Sequence, residues 1–83
     1  MSVYQEKSLL ARQIAEKRNT LRKTYGGMMS LTDLSRELGF KRPDGALKWI
    51  RMVGLEAVMV SPKRRAYETD RVAAEIVKGR LPA

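Results

Sequence analysis

Apolar residues recur at helical spacing through most of this chain and then switch to a shorter rhythm near residue 57. From Ser2 to Tyr25 no Pro or Gly interrupts a run of strong helix formers. Within it Val3, Leu10, Ile14, Lys17, Leu21 and Tyr25 follow one another at spacings of seven, four, three, four and four. That row is one stripe of a helix about 35 Å long, with Ser2 as its N-cap and Gly26-Gly27 as its stop. The stripe is narrow and contains a lysine, so it predicts packing on the rest of the chain or on a second copy rather than a long coiled coil.

A second helical segment begins near Met28, where Ser30 or Thr32 can cap and Asp33 suits the positive N-terminal end. Leu31, Leu34 and Leu38 form its buried face, Gly39 ends it, and Phe40 is placed to fold back on the leucines. A third helix, residues 43–53, starts after "KRPD" with Pro43 in its first turn and stops at Gly54. Leu47, Ile50 and either Val53 or Gly54 continue its inner face, with Ala46 beside them and Trp49 in the core or at its edge. "AVMV", "SPKRR" and "AYE" then read as two short strands joined by a basic turn, with Tyr67 packing across the hairpin. Thr69 caps a last helix from Asp70 to about Lys78, with Val72, Ile76 and Val77 inward. The expectation is a mainly α fold with a small β-hairpin, divided into an amphipathic basic helix (1–27) and a compact domain (28–83).

Eighty-three residues hold one small core. The absence of Cys and His removes disulfides, thiolate nucleophiles, imidazole bases and nearly every transition-metal site, and the nine acids are scattered. No enzyme, cofactor or metal is expected. Five Met residues fit adaptable packing rather than a cofactor box. Seventeen Lys and Arg against nine Asp and Glu give a net charge of +8, which favours an anionic partner, above all nucleic acid. The excess is shared: six bases and two acids up to Gly27, eleven and seven beyond it. No stretch is apolar enough for a membrane span or an export signal, so a cytoplasmic, nucleoid-associated location is expected.

The helix pair around Gly39 gives that charge a direction. With its apolar side inward, the third helix places Lys41, Asp44, Gly45, Lys48, Arg51 and Met52 outside. Lys48 and Arg51 lie on one face, where lysine and a bidentate arginine can reach guanine in a major groove. Gly45, without a side chain, would let the start of the helix approach a backbone closely. Lys63, Arg64 and Arg65 fall at the tip of a two-stranded wing, suited to a backbone or a minor groove. An ordinary helical hairpin with a solvated basic face is the plain alternative.

"SLTDLSRELGF", "ALKWIRMVGLEA", "KRRAYE" and "TDRVAAEIV" together resemble the excisionase and MerR-like winged helix-turn-helix family over roughly residues 30 to 78. The resemblance implies a winged helix-turn-helix carrying an added N-terminal helix. Lys41, Arg42, Lys48 and Arg51 then map to the major-groove helix and its entrance, and Lys63, Arg64 and Arg65 to the wing. Two departures are visible: the proline-bearing "KRPDGA" replaces a Ser/Thr entry, and Trp49 to Gly54 is about one residue longer than usual. The implied function is sequence-specific binding of double-stranded DNA, as a transcriptional regulator or excisionase-type architectural factor of a phage, plasmid or other mobile element. Helix 43–53 would read the major groove and wing 61–66 the backbone or minor groove. No small-molecule effector is expected. A homodimer or cooperative binding is, with Leu10, Ile14, Leu21 and Tyr25 as the contact. An RNA-binding protein and a protein-interaction adaptor or antitoxin-like module are the alternatives that composition leaves open.

Overall fold

The computed structural model describes residues 3–79, with side chains from Leu9 onward. Its elements run α1 (Val3–Tyr25), β1 (Met28–Met29), α2 (Leu31–Leu38), α3 (Pro43–Val53), β2 (Val58–Ser61), β3 (Arg64–Glu68) and α4 (Thr69–Gly79). Among the described residues the fold is therefore mainly helical, with a small three-stranded antiparallel sheet in the order β1-β3-β2. The third strand corrects the two-strand expectation. Met28 and Met29, read from sequence as a lead into a helix, pair instead with Glu68 and Tyr67.

Local chemistry explains the helix ends. Ser30 Oγ accepts the Asp33 N–H at 3.0 Å while the Asp33 carboxylate accepts the Ser30 N–H at 3.0 Å, a reciprocal cap that starts α2. Gly39 and Gly54 close α2 and α3 with φ of 79° and 71°, a left-handed turn that side-chain-bearing residues resist. In both turns the next residue bonds back into the helix: Phe40 N–H to Ser35 C=O at 2.8 Å, and Leu55 N–H to Ile50 C=O at 3.0 Å. Arg42, held extended ahead of Pro43, forms the N-cap of α3 without a side-chain hydrogen bond.

The core joins Leu21, Met29, Leu34, Ala46, Ile50, Leu55, Tyr67, Val72 and Ala73, one or two from almost every element. β2 contributes none of them. Tyr25, Leu31, Leu38, Trp49, Val53 and Ile76 pack around this cluster, which places Trp49 at the core edge as expected. Leu47, expected inside, is only half-buried, and Ala46 takes the inner position instead.

α1 and α4 are fastened end to start. Thr69, completely buried, donates its hydroxyl to the Gly26 carbonyl at 2.7 Å, and its N–H bonds the Gly27 carbonyl at 3.0 Å. The hydroxyl read from sequence as a cap thus ties two helices together. Arg22 and Asp70 pair across the same junction, Nε to Oδ1 at 2.7 Å. The Arg22 hydrogen bond holds the Asp70 carboxyl below its ordinary range and Asp70 in turn raises the guanidinium. A second lock joins α1 to α2: Glu37 accepts Lys17 Nζ at 2.9 Å and the Tyr25 hydroxyl at 3.2 Å. Partial burial, followed by the neighbouring Glu37 charge, raises the Tyr25 phenol.

Candidate nucleic-acid interface

The interface residues stand on two supports. α3 is held through Ala46 and Ile50, both in the core, so its opposite side faces solvent. Lys48, Arg51 and Met52 are exposed there, three and four residues apart and hence on one helical face. Met52 is 75% exposed, more than any other large apolar side chain described. Lys41 and Arg42 are exposed at the entrance to the helix, beside first-turn amides that no side chain caps.

The hairpin β2–β3 is the second support. Its two-residue turn is Pro62-Lys63, so Lys63 lies at the tip while Arg64 and Arg65 lie on β3, opposite Ser61 and Met59. The expectation that all three sit in the turn is corrected accordingly. Because side chains alternate along a strand, Arg64 and Arg65 project to opposite faces of the hairpin. Ala66 and Tyr67, next in line, are buried and anchor it. Only residues 54–57 link the end of α3 to β2, a span of at most about 14 Å. The two basic groups therefore stand on consecutive elements joined by four residues.

Charge is distributed unevenly along the chain. The ion pairs among the described residues are Lys17–Glu37, Arg22–Asp70 and Lys78–Glu75. Asp33 is engaged in the α2 cap. None of these involves Lys41, Arg42, Lys48, Arg51, Lys63, Arg64 or Arg65, all of which are exposed. Residues 41–65 hold those seven cations against Asp44 and Glu56 alone, so five of the eight net positive charges lie in this segment.

Two groups of sequence-assigned residues fall elsewhere. The space beside Gly45 is filled by the ring of Phe40, so this glycine accommodates the chain's own aromatic side chain and not an incoming backbone. Leu21 is 1% exposed and Tyr25 is packed and hydrogen-bonded to Glu37, which leaves only Leu10 and Ile14, both half-buried, for contact with another copy. Sequence reasoning read "AVMV" as a strand but missed that every residue of β2 is exposed. It also missed Glu37, although a lysine in the α1 stripe called for an acidic partner.

No family model, curated protein or solved structure matches the chain. Among the described residues no helix is long and apolar enough to cross a membrane, and no group of three or more acidic side chains is gathered to hold a metal ion.

Proposed function

We propose that this chain binds double-stranded DNA with sequence preference, α3 lying in the major groove and the β2–β3 hairpin serving as a wing on the adjoining backbone or minor groove. The observation that carries the reading is the set of seven exposed cations on α3, its entrance and the hairpin, none of them held in an ion pair with a described residue. Cations left unpaired keep their full charge for phosphate, where each one releases condensed counterions on binding. The element order α1-β1-α2-α3-β2-β3 and the strand order β1-β3-β2 support a winged helix-turn-helix.

Roles divide by position. Arg51 and Lys48 donate to base edges, guanine above all, and Met52 offers an apolar contact to a thymine methyl. Lys41, Arg42, Lys63, Arg64 and Arg65 fix the chain on phosphates and carry little sequence information. The protein acts at the nucleoid as a regulator or architectural factor without catalysis. A domain this small reads few base pairs, so two copies act on one site, meeting through the half-buried Leu10 and Ile14 of α1.

Fluorescence anisotropy on duplex pools across a salt series, with structured RNA as competitor, tests the reading. Wild type is expected to lose affinity steeply with salt. Lys48→Ala/Arg51→Ala should lose sequence preference, worth roughly 1–3 kcal/mol per base contact, and retain weak binding. Lys63→Ala/Arg64→Ala/Arg65→Ala should keep the preference while its log–log salt slope shallows by about 3. Stronger competition by RNA than by duplex DNA, or no binding at all, sinks the proposal.

A further inference from the structure

The hairpin carries a feature that phosphate binding does not require. β2 is an edge strand of the sheet, all four of its residues are exposed, and three of them are Val58, Met59 and Val60. Met59 is 56% and Val60 58% exposed, and neither belongs to the core cluster. Folding therefore gives no account of two large apolar side chains in succession at this edge.

We infer that Met59 and Val60 form a wedge that enters the minor groove of duplex DNA, partly unstacks a base step and bends the duplex. The inference rests on the DNA-binding reading and adds to it what the wing does to the DNA. Three observations select this occupant. First, the pairing register slips between Met59 and Ser61, so Val60 is the extra residue of a bulge. A bulge breaks the ladder and re-aims the extra side chain, so strict alternation no longer turns Val60 away from Met59. It also twists the edge, which disfavours addition of another strand. Second, residues 58–65 contain Lys63, Arg64 and Arg65 and no acid, so a second copy on this edge would set three cations against three. Third, Arg65 stands directly across from Met59 and shares its face, which sets a cation beside the apolar side chain.

A minor groove matches that mixture. Its walls are sugars lined by phosphates, it is about 6 Å wide, and apolar side chains inserted there open base steps. The short link from α3 keeps the hairpin within reach of the same duplex. The cations hold the backbones on either side while the apolar pair replaces part of the lost stacking.

The test uses the full chain and duplexes of about 30 base pairs that it enriches from a random pool, labelled at both ends for energy transfer. Wild-type binding should raise the transfer efficiency by an amount equivalent to a bend on the order of 20–90°. Met59→Ser/Val60→Ser should keep the thermal midpoint and bind within about tenfold of wild type, yet leave the duplex straight. A wild-type complex that stays straight, or a serine variant that bends as well as wild type, overturns the wedge and leaves DNA binding standing. Failure to enrich any duplex overturns both. A serine variant that melts early, or whose free form sediments as a smaller species than wild type, shows the strand to be a protein contact and also overturns the wedge.

Discussion

The ring of Phe40 stands where a β-carbon on Gly45 would have to go: such an atom would lie 2.5 Å from Phe40 Cδ1 and 2.7 Å from Cγ. Two opposing effects meet there. Alanine is favoured over glycine inside a helix by about 1 kcal/mol. Displacing a ring that is 39% exposed, and so partly buried, forfeits packing of similar size. Gly45→Ala should therefore bring no stabilisation in the wild-type background. With Phe40→Ala already present it should stabilise by about 0.5–1 kcal/mol. Urea unfolding of the four proteins measures the cycle, and equal stabilisation in both backgrounds would show that the contact does not govern this position.

The buried Thr69 hydroxyl makes a sharper demand. Thr69→Val keeps the shape but strands the Gly26 carbonyl, at a cost of about 1–3 kcal/mol. Thr69→Ser keeps the donor and loses one methyl group, about 1 kcal/mol. Valine should thus melt below serine in calorimetry. The opposite order would mean that the methyl group, and not the hydroxyl, joins α1 to α4.

What could be read from sequence was what local chemistry dictates. Ser30 with Asp33, the Leu-Gly-Phe turn, Pro43 opening a helix and Gly54 closing it are short-range signals, and each element they bound is present. β1 escaped because two residues cannot display a period, and Met28 and Met29 become a strand only through Glu68 and Tyr67, some 40 residues away. Gly45 was misread for the same kind of reason. A missing side chain looks identical in sequence whether the space serves a ligand or the chain's own Phe40. The cations of α3 and the hairpin were legible as a charge pattern. That none of them joins the ion pairs of the described residues needed three dimensions, because Lys17, Arg22 and Lys78 could each have drawn the acids differently.

The Arg22–Asp70 pair sets a dependence on pH. Asp70 is held below its ordinary value, so the folded state binds this proton less readily than the unfolded one. Its stabilising contribution is present above the unfolded carboxylate range and disappears as pH falls through the depressed folded value. Both side chains are about half exposed, which keeps the effect small and sensitive to salt. The thermal midpoint of Asp70→Asn should lie below wild type at neutral pH and low salt. The gap should narrow on adding salt and close under acid conditions. A gap that is unchanged from neutral to strongly acidic pH would assign the loss to packing instead of the carboxylate charge.

Along α1 the same apolar stripe serves two purposes, and truncation should separate them. Leu21 is enclosed by the chain's own core, so Leu21→Ala should cost about 2–5 kcal/mol. For 83 residues the whole stability is roughly 4–12 kcal/mol, so this single change approaches unfolding. Leu10 and Ile14 lie a full turn or more nearer the N-terminus and are only half-buried. Leu10→Ala/Ile14→Ala should therefore leave the urea midpoint nearly unchanged and act on association, lowering the cooperativity of duplex binding and the sedimentation coefficient of the complex. If the double variant instead unfolds as readily as Leu21→Ala, the entire stripe belongs to the monomer's core. A cooperative complex that survives it intact would place the contact between copies on another face.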